Sequence, residues 1–307
     1  GGPPCSLRRV VAMPQENILK PERLRVFKRL ELLARSVVEG FVAGLHTSPF
    51  KGFALEFAEH RQYVPGDDLK HLDWKLLAKH DRFYVKQYEE DTSMRVYLVL
   101  DTSGSMRYSN GTHSKLDYGR YICAVLSYIL LQQNDAVGLI TCDSKLNQYL
   151  PARSSPKQLR LIDGALQRVR GASDTGLANV LHGVADLVRR RALIVIVSDF
   201  FDRADEIALA LNHFAHKKHD VLLYQVLDRR EAEFPFRELT RFESLESHAH
   251  ELVEPLRLRR EYLARFHAHQ KQLQAACHNL RIDFAQMFTD QPFERSLAAY
   301  LADRLKR

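Results

Sequence analysis

From residue 95 onward the sequence keeps one habit: a short apolar run, then an amphipathic helical stretch, repeated to the end of the chain. Runs at residues 95–100, 136–141, 192–197 and 221–226 are rich in Val, Ile and Leu and have strand length. A shorter edge candidate covers 146–150, and a last strand is expected at 280–284. Helical periodicity fills the gaps at about 114–133, 156–169, 177–190, 203–217, 256–279 and 292–305. Strands that alternate with helices in this way predict a mainly parallel sheet covered on both faces, an α/β doubly wound architecture. The run at 192–197, apolar at every position, is what a strand buried on both faces requires.

With 307 residues the chain can bury one α/β core of about 200 residues and still carry a smaller unit. The sequence divides accordingly. Residues 1–16, opening Gly-Gly-Pro-Pro, read as disordered or left over from cloning. Residues 17–92 read as an N-terminal helix, with helical spacing over 21–45, followed by a small β-containing unit with strands at 52–57 and 82–88 and a short helix at 69–78. Residues 93–307 form the main domain, interrupted at about 228–255 by an irregular insertion of short strands that carries Glu231, Glu233, Glu243 and Glu246.

Composition excludes several roles. No apolar run approaches the ~20 residues of a membrane helix. The net charge is +7, but Lys and Arg are mixed with Asp and Glu along nearly every segment, so no basic stripe for nucleic acid is formed. Cys5, Cys123, Cys142 and Cys277 make no CxxC pair, and three of them fall in apolar patterns suited to buried reduced thiols. Together with the lack of a secretory apolar segment near the start, this predicts a cytoplasmic protein.

In an open parallel sheet, ligands bind beyond the carboxyl ends of the strands, where successive connections leave toward opposite faces. Three polar loops lie where such a crevice would be. The strand at 95–100 runs into Asp101-Thr102-Ser103-Gly104-Ser105, and the strand at 192–197 runs into Ser198-Asp199. Between them, the loop at 171–177 carries Thr175. Asp101, Ser103, Ser105, Thr175 and Asp199 offer only oxygen, the donor type of a hard cation: Mg²⁺, with Mn²⁺ or Ca²⁺ as alternatives. No sulfur or imidazole stands among them, which argues against zinc. Gly104 is expected to let the loop turn tightly enough to aim both serine hydroxyls at one centre. A cation held by hydroxyls, with the carboxylates acting through water, would keep much of its charge and favour an incoming carboxylate.

This D-x-S-x-S string, a threonine about 70 residues later and an aspartate after the next core strand resemble the metal-ion-dependent adhesion site of von Willebrand factor A domains. The resemblance implies a von Willebrand factor A-like fold, with Ser103, Ser105 and Thr175 contacting the metal directly or through water and Asp101 and Asp199 completing the shell. Upstream, Glu59-His60-Arg61-Gln62-Tyr63-Val64-Pro65-Gly66-Asp67-Asp68, His71-Leu72-Asp73-Trp74 and Val85-Lys86-Gln87-Tyr88 resemble the segment that precedes the A-like domain in the bacterial family catalogued as domain of unknown function 58. Members of that family are commonly encoded beside MoxR-type AAA+ ATPases. The resemblance therefore implies a binding module, not an enzyme, whose partner is such an ATPase or its client.

Simpler roles compete at each position. Asp and Ser at a strand-to-helix junction often only cap a helix, and Thr175 and Asp199 are each placed to do so. Arg61, Asp67 and Asp73 read as structural ion pairs and Trp74 as core. His213, His216 and His219 read as solvated helix-end residues. The helix bearing Arg257, Arg259, Arg260, Arg265 and Lys271 reads as a solvated face with salt bridges. The competing chemistry is a Mg-dependent phosphatase using Asp101 as nucleophile, but such enzymes usually place a second carboxylate two residues on, where this chain has Ser103.

Overall fold

The computed structural model of the chain describes residues 60–62, 84–86, 94–109, 113–171, 176–238, 240–243 and 250–291. The apolar runs become six strands of one sheet: β3 (Arg95–Asp101), β4 (Ala136–Cys142), β5 (Leu146–Arg153), β6 (Leu193–Ser198), β7 (Asp220–Leu227) and β10 (Asp283–Phe288). Their order across the sheet is β10-β7-β6-β3-β4-β5, and every pairing is parallel except β4 with β5. Counted from β3, this is the 3-2-1-4-5-6 order of doubly wound folds. The parallel sheet expected from the alternation is therefore present, with one antiparallel edge.

Side-chain alternation sends the two strand faces to two cores. Val96, Leu98, Leu100, Val195 and Val197 pack beneath α1 (Lys115–Gln132) and α2 (Pro156–Arg168). Tyr97, Val99, Ile140, Ile194 and Ile196 face α3 (Leu177–Leu187), α4 (Ala204–His216) and α6 (Pro255–Asn279). Helix α1 follows β3 onto one face, whereas α4 follows β6 onto the other. Since β3 and β6 are neighbours, with Leu100 opposite Val197, the connections part between them and leave a crevice at their carboxyl ends.

Helix α1 starts at a capping box in which the Ser114 hydroxyl accepts from the Asp117 amide and the Asp117 side chain accepts from the Ser114 amide. One turn on, Gly119 brings the helix so close to the sheet that a Cβ there would stand 2.8 Å from Leu100 Cδ1 and 3.3 Å from Val197 Cγ1. This close approach sets the first turn of α1 over the ends of β3 and β6.

Several elements depart from the sequence expectation. The last strand begins at Asp283, not 280, because Leu280 caps α6, Arg281 takes a left-handed turn (φ 54°) and the Ile282 amide still bonds to Cys277 O. In the small unit, β2 (Tyr84–Lys86) lies inside an expected strand, but it pairs antiparallel with β1 (His60–Gln62), a segment read as part of a polar block. The short strands expected at about 228–255 are present as β8 (Thr240–Glu243) paired antiparallel with β9 (His250–Val253), but they are preceded by a short helix, α5 (Arg229–Glu233), that was not expected. The expected helices at 21–45, 69–78 and 292–305, the strand at 52–57, and Asp67, Asp73 and Trp74 lie outside the described residues, as does the Arg61 side chain. No helix among the described residues is long and apolar enough to cross a membrane.

His219 is not solvated. It is buried, its Nε2 donates to Val188 O at 3.1 Å, and burial lowers its pKa. The first half of α6 does carry surface ion pairs, Arg257 with Glu254 and Arg265 with Glu261, each at 2.6 Å.

Candidate functional site

Asp101 ends β3 and is only 1% exposed. One carboxylate oxygen accepts from the Ser103 amide at 2.8 Å, and the other accepts from the Ser198 hydroxyl at 2.6 Å. The second bond ties the end of β3 to the end of β6, so the two loops named from sequence do converge. Ser198 itself was not among the expected site residues. In the sequence it reads as the first residue of the polar loop after the strand, whereas it is the last residue of β6, and its role depends on the β3/β6 pairing.

Residues Ser105–Arg107 form a 3-10 turn behind Gly104, which has ordinary right-handed torsions (φ −58°, ψ −41°). The glycine's special freedom is thus not what shapes the loop, contrary to the expectation. The tight turn does so, and it leaves Ser103 Oγ and Ser105 Oγ 3.1 Å apart. Six-coordinate Mg²⁺ with bonds of about 2.1 Å sets neighbouring oxygens about 3.0 Å apart. The two hydroxyls are hydrogen-bonded to each other at a distance that is also the spacing of adjacent ligands, and the donor set fits a hard cation.

Asp199 stands beyond β6, 1% exposed. Its Oδ1 accepts from the Phe201 amide at 3.2 Å, and its carbonyl accepts from Gln225 Nε2 of β7 at 2.9 Å. It does not cap α4, whose N-cap is Arg203. Its Oδ2 meets the ammonium of Lys115 at 2.7 Å, and that same ammonium lies 2.7 Å from Glu231 Oε1. Sequence reasoning missed both partners. Glu231 was grouped with an irregular insertion, whereas a lysine placed directly after a serine N-cap, against the helix dipole, was a signal available to read.

Thr175 lies outside the described residues, but both flanks of its loop are placed. A Cβ on Gly176 would lie 3.4 Å from Ser144 Cα in the β4-β5 turn, and a Cβ on Gly171 would meet Arg107 of the 3-10 turn. The N-cap of α3 is Gly176, which makes no side-chain cap. Instead Asp202 Oδ2, from the Asp199 loop, accepts from the Ala178 amide at 3.2 Å. Among the described residues no three His, Cys, Asp or Glu side chains gather to hold a metal by themselves. A cation here would depend on the serine hydroxyls and on water.

Burial, and next the charge of Asp199, raise the Asp101 carboxyl from its ordinary 3.8 to about 7. The folded, metal-free protein therefore holds a proton there that the unfolded chain releases near pH 4. That contribution to stability is complete below pH 4 and is lost as pH rises through about 7, each tenfold change in proton affinity being worth about 1.4 kcal/mol. We expect the metal-free protein to melt at a lower temperature at pH 8 than at pH 5, and Asp101→Asn to flatten this slope. Thermal denaturation in chelator across that range checks it; an equal slope in both proteins would show that Asp101 does not carry the effect.

Residues 59–272 match the family described as "Protein of unknown function DUF58". The chain belongs to that family. The DUF58 match spans β1 through most of α6, and so takes in the upstream block as well as the Asp101 and Asp199 loops. The uncharacterized proteins Rv1480 of Mycobacterium tuberculosis and Mb1516 of Mycobacterium bovis are each 27% identical over 228 residues, covering 73% of this chain and 71% of theirs. Among solved structures, the conserved hypothetical protein BatB from Bacteroides thetaiotaomicron is 14% identical over 70% of this chain and all of its own, with a TM-score of 0.46. The von Willebrand factor A domain of SpRpn10 is 11% identical over 67% of this chain and 94% of its own, with a TM-score of 0.39. These scores fall below 0.5, and the assignment of a doubly wound, mainly parallel sheet stands on the strand order itself.

Proposed function

We propose that this DUF58 protein is a metal-dependent protein-binding module that captures an acidic side chain of a partner. The observation that carries this reading is the hydrogen-bonded pair of serine hydroxyls 3.1 Å apart, on a loop whose Ser103 amide donates to the buried Asp101, which in turn feels the charge of the buried Asp199. Ser103 and Ser105, with Thr175, would hold a divalent ion, Mg²⁺ first, and Asp101 and Asp199 would back it. Such an ion supplies positive charge and an exchangeable position to an incoming carboxylate. The protein's own residues supply the rest: Ser198 and the Ser103 amide orient Asp101, while Gln225 and the Phe201 amide fix Asp199.

The reading makes the protein a binder and not a catalyst. Asp101 is inaccessible and neither of its carboxylate oxygens is free of a hydrogen bond, which is poor placement for a nucleophile. The family resemblance suggests a MoxR-type AAA+ ATPase or its client as the partner. Cys123, Cys142 and Cys277 are buried free thiols, which supports a reducing compartment and hence the cytoplasm.

Calorimetric titration of the full chain with Mg²⁺ or Mn²⁺ tests the reading. The wild type is expected to bind one ion, and Ser103→Ala/Ser105→Ala is expected to lose it together with any partner that co-purifies in a metal-dependent way. Absence of binding by the wild type, with Asp101→Ala behaving identically, would sink the proposal.

A further inference from the structure

Lys115 has no exposed surface, an unusual position for a lysine and a costly one unless its charge is met. It occupies the first turn of α1, where the helix dipole disfavours a cation. Its ammonium contacts Asp199 and Glu231 at 2.7 Å each and lies 4.6 Å from the centroid of the Phe201 ring and 5.8 Å from that of Tyr108. These partners reach Lys115 of α1 from three separate places: the loop after β3, the loop after β6, and α5. The two carboxylates, each 2.7 Å from Nζ, are what meet the buried charge.

The Asp199 carboxylate is thereby shared. One oxygen is committed to Nζ and the other to the Phe201 amide. The charge of Asp199 is felt at Asp101, which the Ser103 amide contacts, so a divalent ion at the serine pair would have to draw on a carboxylate that Lys115 already neutralises. The buried positive charge of Lys115 would oppose the ion's own.

We propose that Lys115 is a built-in competitor for Asp199 that keeps the free protein's affinity for its divalent cation low, so that the cation is held firmly only when a partner's carboxylate adds negative charge. This rests on the metal-binding reading above and assigns to Lys115 and Glu231 a part in it that does not require either to touch the ion. Glu231 draws the ammonium toward α5 and so relieves Asp199; the two act as opposed positioning residues.

The test is Mn²⁺ affinity of the full chain, read by calorimetry, in the wild type, Lys115→Met, Glu231→Gln, and the double variant Lys115→Met/Glu231→Gln. Methionine keeps much of the aliphatic length without the charge. Lys115→Met is expected to bind Mn²⁺ at least tenfold more tightly than the wild type, and Glu231→Gln severalfold more weakly. Since Lys115→Met leaves two carboxylates facing each other, the double variant, which keeps the wild-type net charge, carries the test if the single one does not fold; it too is expected to bind more tightly than the wild type. A purely structural lysine would give the opposite sign, because damage to the site lowers affinity. If the wild type binds Mn²⁺ and the Lys115 variants bind it equally or more weakly, the competitor role is overturned and the metal-binding reading stands. If neither the wild type nor any variant binds, both fall.

Discussion

Replacing Phe200 by alanine is expected to cost the protein about 3–5 kcal/mol of stability, the range for deleting a fully buried phenylalanine side chain, and to loosen the proposed metal site with it. Phe200 has no exposed surface and packs in the core beneath α3, α4 and α6. Its backbone takes a left-handed conformation (φ 55°), which is unfavourable for any bulky residue. What holds it there is its anchoring: the Phe200 amide donates to Ser198 Oγ at 2.9 Å, and its carbonyl accepts from His269 Nε2 at 2.7 Å. Its chain neighbours, Asp199 and Phe201, are both site residues, so the buried ring fixes the loop that presents them. Phe214, equally buried in the same core but distant in sequence from the loop, is the control. Chemical denaturation should show similar losses for Phe200→Ala and Phe214→Ala, whereas Mn²⁺ affinity should fall only in the first. Equal affinities in the two variants would show that the ring does not position the loop.

Asp199→Ala should also be severe, because it leaves Lys115 with one carboxylate instead of two. Breaking a buried ion pair commonly costs about 3–5 kcal/mol, and with Glu231 still in place the loss is expected to be about 2–3 kcal/mol in the metal-free protein. Part of that cost belongs to the stranded ammonium and not to the aspartate. Adding Lys115→Met to Asp199→Ala should therefore recover stability, giving a coupling energy above about 1 kcal/mol in a double-mutant cycle. Additive losses measured in urea would mean that the 2.7 Å contact between Lys115 and Asp199 contributes nothing to the fold.

What was legible in the sequence follows from which interactions are local. The apolar runs of β3, β4, β6 and β7 and their helices could be read directly, because period and capping are properties of neighbouring residues. The prominence of Asp101 and Asp199 could also be read, since the position beyond a parallel strand is fixed once the strand is known. The bond from Ser198 to Asp101 could not be, because it exists only through the pairing of strands nearly a hundred residues apart. Glu231 was obscured for a related reason: α5 is too short to show periodicity, and its role is defined by an ammonium contributed by α1. The start of β10 was misplaced because Leu280 and Ile282 are apolar for the sake of closing α6, not of entering the sheet. Gly104 illustrates the reverse error, a permissive residue credited with a torsion it does not use.

The strand order also governs how the protein is born. Of the six-stranded sheet, β3, β4 and β5 leave the ribosome first and can pair with one another, but the other edge of β3 stays bare until residues 193–198 have followed. That edge belongs to a strand buried at six of its seven positions, and an open apolar edge is a template for wrong pairing. The nascent chain therefore carries an aggregation hazard at the edge of β3 through the synthesis of α1, α2 and α3. Asp101 spends the same interval without Ser198 or Asp199, so the proposed ion site can be completed only late in synthesis, when β6 closes the gap.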